Sequence, residues 1–505
     1  MVKTFFFVVF LAVPISGLNF LVYSPLFAHS HTVYLATLAD TLTNAGHNVT
    51  FFAPLIHSKL RAKLCVKSTK DVILVENDDY MENVQKNIDA VDFGRLWVDP
   101  NGARMLLGLA EHFQKMFLRS CKLQLENKIV MESLRSKKFD VIIMEPLTTC
   151  AVGIKKYLNI PTMLLAVPLT HMELVSYYLG EPIAPSVYSD QRSEMNLIQR
   201  MKNTVSIFLG IQLVKGKMDE EQQLASQLTG LKVPGLVDVI HESPFVFTNS
   251  NPLIDYPRPI IHKTVAIGGI TVDVEEIRTR KLDQKWDAIL NLRPKNVLVS
   301  FGSMAKSVLM PPSHKKAIIE TFLEFPDVTF IWKYESDDIE FSSSATNVHF
   351  TKWVPQVELL ADSRLTAFVT HGGVGSTTEF AHLGKPAVMV PVFGDQPRNS
   401  YSMERHSNVV VVRKFELADK SVLIDAIGRV INDKTYTENA LKLAEMLEKQ
   451  PNRPKDSFVR HAVFAATFGN MKSLDPYGRQ LNFLQYFLID ILLIVVITTG
   501  GSLFL

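Results

Sequence analysis

The chain has 505 residues, enough for roughly three domains of ~150 residues or for two large ones. Apolar residues make up 47% of it, which supports sizeable cores. The formal net charge is only +2 and there is no lysine- or arginine-rich run, which argues against a nucleic-acid-binding role.

Both ends of the chain are strongly apolar. Residues 1–17 carry one lysine, then an apolar run too short to span a bilayer, then small residues, which predicts a cleaved secretory signal peptide. Residues 481–505 predict a membrane anchor that begins near Phe483 and includes Asp490, which is costly in lipid. An interfacial or packed apolar helix is the alternative for this segment.

Cysteines are too few for a disulfide scaffold. Cys65, Cys121 and Cys150 allow at most one bridge, and three buried thiols are an equally open alternative. Cysteine, histidine and carboxylate residues show no metal-ligand spacing, so no metal site is predicted.

In the first half of the chain, strands alternate with helical segments. Strands are predicted at 19–24, 48–54, 139–145 and 161–167. After the first strand, His31, Leu35, Leu38 and Leu42 lie at helical spacing, which predicts a helix over residues 31–44 with Ser30 as its N-cap. This alternation predicts a parallel sheet with helices on both faces.

A proline-rich break at 250–270 separates this half from a second alternating series. Strands and their following turns are predicted at 296–303, 329–334, 349–355, 365–373 and 386–396, and residues 436–470 look helical. The predicted architecture is α/β, with two doubly wound, Rossmann-like domains facing a cleft. The predicted boundaries are 18–265 for the first domain, 266–435 for the second and 436–480 for a helical segment before the anchor.

Polar residues and glycines cluster where the predicted strands end. His29 and His31, Glu145, Gly302 and Ser303, His371 with Gly372 and Gly373, and Asp395 with Gln396 all follow strands. Ligands of open parallel sheets bind at this edge, so the shared position predicts one cleft.

The strongest local pattern is THGGVGSTTE at residues 370–379, a glycine-rich turn from strand to helix. Such a turn offers backbone N–H groups and a helix N-terminus to a phosphate, although a glycine there can also serve a purely steric need. His371 can donate to a phosphate oxygen, and Trp353 with Gln356 can stack on and bond a base. Asp395 and Gln396 suit sugar hydroxyls; core packing of Trp353 and a solvated turn at 395–396 are the alternatives.

The first half supplies a candidate acid–base pair. His31 lies in the first turn of its predicted helix, where the helix dipole disfavours imidazolium. Glu145 can orient the ring and stabilise the cation formed on proton uptake. His29 is the competing base, but only His31 shares the helix face of the leucines. No serine or cysteine elbow is found, so covalent catalysis is not predicted.

The stretch FVTHGGVGSTTEFAHLGKPAVMVPVFGDQ, residues 368–396, resembles the signature of the membrane-bound animal UDP-glycosyltransferases, the UDP-glucuronosyltransferase family. FGSM at 301–304, WVPQ at 353–356 and DYPRP at 255–259 also match, and the resemblance covers essentially the whole chain. It implies an enzyme with the two-domain GT-B fold, in which the N-terminal domain binds the acceptor and the C-terminal domain binds the UDP-sugar.

The resemblance also implies roles for individual residues. His31 is the general base and Glu145 its partner; the donor side comprises Ser303, Trp353, Gln356, His371, Gly373, Gly375, Ser376, Glu379, Asp395, Gln396 and, more weakly, Arg258. The expected reaction is inverting transfer of a sugar to a hydroxyl of a small lipophilic acceptor, as in detoxification. UDP-sugar is the co-substrate and no cofactor is needed. A single-pass position in the endoplasmic reticulum membrane with lumenal catalytic domains is expected, and a homo- or hetero-oligomer is compatible with the family.

Three departures from the family pattern stand out. Glu145 replaces the usual aspartate, Gly375 replaces an asparagine, and no basic cytosolic tail follows the apolar end. The donor sugar stays open between glucuronic acid, for which Arg258 and Arg398 are candidate cations, and glucose. A non-catalytic UDP-sugar-binding or regulatory homologue is the main alternative, and a UDP-sugar epimerase is a weaker one.

Overall fold

The computed structural model describes residues 17–501 except 88–92, 100–102, 183–184, 187–191 and 193. Residues 1–16 of the predicted signal peptide and residues 502–505 of the predicted anchor lie outside this part of the chain.

The first half builds a seven-stranded parallel sheet in the order β3-β2-β1-β4-β5-β6-β7. Its strands are β1 (Asn19–Tyr23), β2 (Asn48–Pro54), β3 (Asp71–Val75), β4 (Val141–Met144), β5 (Thr162–Val167), β6 (Val246–Thr248) and β7 (Thr264–Ala266). Successive residues of β1 enter opposite cores, Phe20 and Val22 one and Leu21 and Tyr23 the other, so both faces of the sheet are covered.

The second half builds a six-stranded parallel sheet in the order β10-β9-β8-β11-β12-β13. Its strands are β8 (Lys295–Ser300), β9 (Val328–Lys333), β10 (Val348–Thr351), β11 (Leu365–Thr370), β12 (Ala387–Met389) and β13 (Val409–Val411). Val297 and Val299 face one core while Leu298 faces another. The prediction of two doubly wound sheets is confirmed.

Helices of the first half are α1 (His29–Asn44), α2 (Asp79–Asn87), α3 (Phe93–Arg95), α4 (Ala103–Glu126), α5 (Lys128–Ser136), α6 (Cys150–Leu158), α7 (Glu173–Leu179), α8 (Leu197–Thr229) and α9 (Leu236–Glu242). The predicted N-cap of α1 is wrong: Ser30 lies inside the helix, and Ala28, in extended conformation, is the N-cap without a side-chain cap. The first turn closes instead on the Ala28 carbonyl, which accepts from both the N–H and the hydroxyl of Thr32.

Helices of the second half are α10 (Val274–Thr279), α11 (Gln284–Leu290), α12 (Pro312–Leu323), α13 (Gln356–Ala361), α14 (Val374–His382), α15 (Gln396–Glu404), α16 (Lys420–Asn432), α17 (Lys434–Glu448), α18 (Pro454–Phe468), α19 (Phe483–Tyr486) and α20 (Ile489–Gly501). The predicted helical segment 436–470 is two helices, because Pro451 and Pro454 interrupt it. Helix α18 returns to the first sheet, where Phe458 packs on Phe247 with ring centroids 4.9 Å apart.

The apolar C-terminal segment contains α19 and α20. Helix α20 has 13 residues, fewer than the ~20 that a span requires. Among the described residues, no helix has both the length and the apolar content needed to cross a bilayer. The predicted transmembrane helix is therefore not confirmed.

A disulfide joins Cys121 of α4 to Cys150 at the start of α6, so the bridge, one of the two alternatives left open, is present. Cys65 is a free, partly buried thiol. The bridge ties the segment that follows β4 to a long helix that the sequence patterns did not single out.

Candidate active site

A cleft of about 640 Å³ lies between the two sheets and is lined by residues of both halves. It collects the predicted residues His31, Ser303, Trp353, Gln356, His371, Gly373, Gly375, Ser376, Glu379, Asp395 and Gln396. A larger groove of about 1040 Å³, along β7, α17 and α18, contains none of the predicted site residues. The chemistry-bearing residues therefore converge on the cleft between the sheets.

His31 and Glu145 form a close pair on the first-domain side of this cleft. The His31 Nδ1 atom lies 2.6 Å from Glu145 Oε2. Strands β1 and β4 are neighbours, with Tyr23 opposite Met144, so the residues that follow both strands meet at one edge of the sheet. Glu145 is fully buried, whereas the His31 side chain is 13% exposed. The carboxylate thus fixes Nδ1 and leaves Nε2 as the ring nitrogen for the cleft.

The competing histidine, His29, has different neighbours. Its Nδ1 atom lies 3.9 Å from the Cys65 sulfur, and its ring centroid is 6.1 Å from that of Trp353. Burial, aided by the positive charge of Lys63, lowers the pKa of His29. A thiol does not orient an imidazole as a carboxylate does, so the geometry favours His31 as the base.

The glycine-rich turn wraps around the ring of His371. A Cβ atom on Gly302 or on Gly373 would lie 2.6 Å from that ring, and one on Gly372 would lie 2.6 Å from the Ser400 hydroxyl oxygen. Gly302 and Gly372 also have φ of +80°, a conformation that L side chains rarely adopt. Close packing therefore explains why glycine occupies these positions, and this explanation is compatible with phosphate binding. A Cβ on Gly375, by contrast, would point into open space.

Lys333 is a cation in the cleft that the sequence analysis did not identify. Its Nζ donates to the Gly302 carbonyl at 2.7 Å and pairs with Glu335 at 3.0 Å. Burial, together with the charge of Lys333, lowers the pKa of His371 to about 4, so His371 is neutral at physiological pH. Lys333 ends β9, as the identified residues end or follow their strands, and this position was the available signal.

Gln356 links the first turns of α13 and α14. Its amide nitrogen donates to Glu379 Oε2 at 2.6 Å and to the Ser376 hydroxyl at 3.0 Å. Burial raises the pKa of the Glu379 carboxyl to about 7, although the bond from Gln356 acts in the opposite direction. An amide and a carboxyl therefore stand together beside the glycine turn, where they can bond a nucleoside.

Trp353 presents an open aromatic face rather than a packed one. It is 53% exposed and lines the cleft. Lys63, from the first half of the chain, places its Nζ 4.1 Å from the centre of the ring. The core-packing alternative for Trp353 is therefore wrong, because more than half of the side chain is exposed at the cleft.

Asp395 and Gln396 line the same cleft as His31. Asp395 Oδ2 accepts from the Asn399 amide at 2.7 Å. Burial raises the pKa of Asp395, while the hydrogen bond from Asn399 and the nearby His31 act to lower it. The Gln396 side-chain oxygen accepts the N–H groups of Val392 and Phe393, leaving its amide nitrogen as a donor.

Arg258 is not at the expected position beside the donor. It forms an ion pair with fully buried Glu181 at 2.7 Å and does not line the cleft. The second candidate cation, Arg398, is equally engaged: it is 1% exposed and bonds Asp255 at 2.9 Å and the Pro185 carbonyl at 2.7 Å. Both guanidinium groups are held by buried acids that sequence spacing does not reveal.

The first-half side of the cleft has an apolar wall. Helices α4 and α8 contribute to this wall, which includes Phe27, Phe113, Phe117, Leu118, Val214 and Met218. Phe113 and Phe117 are four residues apart on α4, a helical spacing that was available in the sequence.

As for metals, the described residues bring Cys121, Cys150 and Glu221 together, but both sulfur atoms belong to the disulfide.

Comparison with known proteins decides the family. The family model of UDP-glucoronosyl and UDP-glucosyl transferase matches residues 20–502. The chain belongs to this family. Human UDP-glucuronosyltransferase 1A1 is 31% identical over 394 residues, which cover 76% of this chain and 72% of the human protein. Human UDP-glucuronosyltransferase 1A3 is 28% identical over 495 residues, 93% of this chain and 87% of that protein.

Solved structures show that this UDP-glycosyltransferase has the GT-B fold. A UDP-glucosyltransferase from Polygonum tinctorium superimposes with a TM-score of 0.59 at 14% identity, covering 88% of this chain and 98% of that one. The glycotransferase of kitacinnamycin gives 0.60 at 16% identity, covering 89% of this chain and 98% of its own. The UDP-glycosyltransferase is thus an enzyme of sugar transfer from UDP-sugars, with two facing parallel sheets.

Binding of UDP-glucose to this UDP-glycosyltransferase is expected to tighten as the pH rises through about 7. The pKa of Glu379 is about 7, and its ionised form is the better acceptor for ribose hydroxyls. Because the ligand favours the ionised form, binding releases a proton and affinity increases with pH. Titration calorimetry across this range measures the slope. Glu379→Gln is expected to bind more weakly and to lose the slope; a slope unchanged in that variant would remove Glu379 from the ribose site.

The substitution Gly375→Asn is expected to leave folding intact, because a side chain there meets open space. The new amide can donate to the diphosphate, and one net hydrogen bond of ~1 kcal/mol corresponds to roughly fivefold tighter UDP binding. The matched control is Gly373→Ala, whose Cβ would collide with His371 at 2.6 Å and is expected to weaken binding. UDP affinities of the two variants check both effects; weaker binding by Gly375→Asn would contradict the first.

Proposed function

We propose that this UDP-glycosyltransferase is an inverting enzyme that moves a hexose from a UDP-sugar to a hydroxyl of a small lipophilic acceptor, with His31 as the general base. The observation that carries the proposal is the 2.6 Å pair of His31 and buried Glu145, beside a cleft that both His31 and Asp395 line. A base on one domain and a sugar-binding acid on the other are what direct transfer between two bound substrates requires.

The step involves one proton and one pair of bonds. His31 Nε2 takes the proton of the acceptor hydroxyl as the oxygen attacks the anomeric carbon from the face opposite the diphosphate. The bond from that carbon to the β-phosphate oxygen breaks, and UDP leaves with the electron pair. Glu145, held at Nδ1, stabilises the imidazolium that forms.

On the donor side, the chain's own groups can neutralise the leaving diphosphate. Residues of the 371–376 turn at the N-terminus of α14 line the cleft together with Ser303 and Lys333, and Lys333 also pairs with Glu335 at 3.0 Å. Trp353 and Gln356 would bind the uracil ring and Glu379 the ribose, while Asp395 and Gln396 would bind the sugar hydroxyls. These interactions stabilise the charge that develops on UDP and would serve without a metal ion or a further cofactor.

Glucose is the donor sugar that the described residues favour. A glucuronate carboxylate is best bound by a guanidinium or ammonium group. Arg258 and Arg398, the candidates for that role, are instead neutralised in buried pairs with Glu181 and Asp255 outside the cleft, and the ammonium group of Lys333, which does line the cleft, is paired with Glu335. We therefore expect UDP-glucose to be used in preference to UDP-glucuronic acid.

The proposed setting is the lumen of the endoplasmic reticulum, with residues 481–505 as a membrane anchor. The disulfide of Cys121 and Cys150 supports it, since disulfides persist in oxidising compartments.

The apolar wall formed with α4 and α8 supports a lipophilic acceptor.

The test is UDP release from a panel of UDP-sugars, each with and without a phenolic acceptor. Acceptor-dependent release with inversion at the anomeric carbon supports transfer, and faster release from UDP-glucose supports the donor assignment. Transfer that is faster from UDP-glucuronic acid would overturn the donor assignment alone. Binding of UDP-sugars without release, or an epimer formed without acceptor, would overturn the proposed function in favour of a regulatory homologue or an epimerase.

A further inference from the structure

The apolar wall of the cleft contains a cationic side chain, that of Lys217 on α8. Among the described residues that line the cleft from the first half of the chain, it is the one lysine or arginine. Val214, one helical turn earlier, and the adjacent Met218 line the cleft with it, and Lys217 is half-buried. An ammonium group that has lost part of its hydration among apolar side chains needs polar partners in place of water.

A single amide contacts the ammonium group of Lys217. The Lys217 Nζ donates to Gln114 Oε1 at 2.5 Å, while Gln114 Nε2 donates to Glu220. This arrangement fixes the amide, because its oxygen faces the cation and its NH2 group faces the anion. No carboxylate of the described residues forms an ion pair with Lys217. An ammonium group has three N–H donors, so two of them are left for water or for a ligand.

The carboxylates nearest to Lys217 along α8 are engaged by other groups. Glu221, one turn further on, also lines the cleft, but its oxygens accept from the Thr148 hydroxyl at 2.6 Å and from the Thr149 N–H at 2.5 Å. Burial raises the pKa of Glu221, which favours its neutral form and weakens its repulsion of an anion. Glu220 and Glu221 thus leave the charge of Lys217 uncompensated.

Two other lysines show the compensation that Lys217 lacks. Lys215, two residues earlier on α8, pairs with Asp219 at 2.5 Å and does not line the cleft. Lys333, which lines the cleft from the second half, pairs with Glu335 at 3.0 Å. Of the two described lysines that line the cleft, Lys217 is therefore the one without an acidic partner.

We propose that Lys217 selects acceptors that carry an anionic group, such as a carboxylate, in addition to the hydroxyl that receives the sugar. The anion would bind the two remaining N–H groups of Lys217 through charge-assisted hydrogen bonds, which are stronger than neutral ones. The hydroxyl would lie at His31 in the same cleft, with the apolar part of the acceptor against Phe113 and Phe117. The preferred acceptor is thus a lipophilic hydroxy acid. This inference rests on the proposed function, which leaves the charge of the acceptor open.

The carboxylate of a glucuronic acid donor is a second source of such an anion. Lys217 belongs to the wall built with α4 and α8, whereas the proposed donor contacts, such as Ser303 and Asp395, come from the second half of the chain. This division favours the acceptor as the source of the anion, and the test distinguishes the two.

The selection is tested with a phenol that carries an alkanoic acid chain para to its hydroxyl, and with the methyl ester of the same compound. The measured quantity is the ratio of kcat/KM for the acid to kcat/KM for the ester, with UDP-glucose as donor. Lys217→Met removes the charge at similar side-chain size. We expect it to lower this ratio roughly tenfold, the lower end for a hydrogen bond to a charged group, since Lys217 is only half-buried. Lys217→Arg keeps the charge and should retain most of the ratio.

Lys215→Met is the matched control. It removes the same charge from the same helix, at a lysine that is paired and lies outside the cleft, and should leave the ratio unchanged. An equal fall in both variants would indicate a general effect of charge and would overturn the proposal, as would an unchanged ratio in Lys217→Met. A higher KM for UDP-glucuronic acid in Lys217→Met, with the ratio unchanged, would assign the cation to the donor instead.

Calorimetry separates this inference from the proposed function. The probe is the corresponding phenylalkanoic acid, which has no hydroxyl to receive a sugar, titrated into the full chain saturated with UDP. Weaker binding to Lys217→Met than to the unaltered chain and to Lys215→Met supports the anion site, even if no sugar is transferred. Equal binding to all three, or binding to none, overturns the anion site, even if transfer proceeds as proposed.

Discussion

His31→Ala is expected to lower the rate of sugar transfer by ~10²–10⁴, the usual contribution of a general base. The imidazole is the group that the structure places beside a buried carboxylate at the cleft, with Nδ1 held at 2.6 Å. Without it, the acceptor hydroxyl must attack while still carrying its proton. UDP affinity is expected to stay within about twofold, since the proposed nucleotide contacts lie on the other domain. Single-turnover kinetics together with calorimetry separates the two quantities.

His29→Ala is the matched control for this prediction. It removes a histidine on the same helix, whose neighbours are Cys65 and Trp353 rather than a carboxylate, and should have a much smaller effect on the chemical step. Turnover unchanged in His31→Ala would remove this residue from the mechanism. A larger loss in His29→Ala than in His31→Ala would transfer the role of base to His29.

Glu145 requires its own variants, because it stands where the family pattern has aspartate. Glu145→Gln keeps the side-chain length but removes the charge that stabilises imidazolium, so a slower chemical step with unchanged UDP affinity is expected. Glu145→Asp keeps the charge on a shorter side chain, and the 2.6 Å contact would lengthen unless the backbone moved. Full activity of Glu145→Gln would show that the negative charge of Glu145 is not needed for the chemical step.

Trp353→Ala is expected to weaken UDP binding by ~1–3 kcal/mol, the range measured when an aromatic ring stacked on a base is removed. At 53% exposure the ring contributes little to the core, so the loss should appear in affinity rather than in stability. Calorimetry with UDP measures the first quantity, and thermal unfolding without ligand checks the second. Trp353→Phe, which retains an aromatic face, should recover most of the affinity. Equal UDP affinity in the alanine variant would exclude stacking on the uracil ring.

The sequence predicted the residues that meet at strand ends, because parallel strands bring their carboxyl ends to one edge whatever the details of packing. This rule predicted that His31 and Glu145 lie close together and that the 370–379 turn lines the cleft. It could not reveal that Arg258 and Arg398 pair with Glu181 and Asp255, since buried ion pairs between distant segments leave no periodic signal.

Other features were missed for different physical reasons. Helix α8 has apolar residues on two opposite faces, so it lacks the single stripe by which an amphipathic helix is recognised. Ser30 resembles an N-cap, but the helix begins earlier, at His29, and closes on a backbone carbonyl. Lys333 ends β9, and its position at a strand end was a signal that the sequence analysis did not use.

The bridge between Cys121 and Cys150 couples the size of the acceptor to the position of Glu145, the partner of the base. Helix α4, which carries Phe113 and Phe117 on the acceptor wall, is tied covalently to the start of α6. Thr148 and Thr149, between Glu145 and that bridge, are held in turn by Glu221 of α8. A bulky acceptor that displaced either helix would therefore pull on the segment that positions the partner of the base. Mutations that widen this wall should thus alter turnover as well as acceptor range.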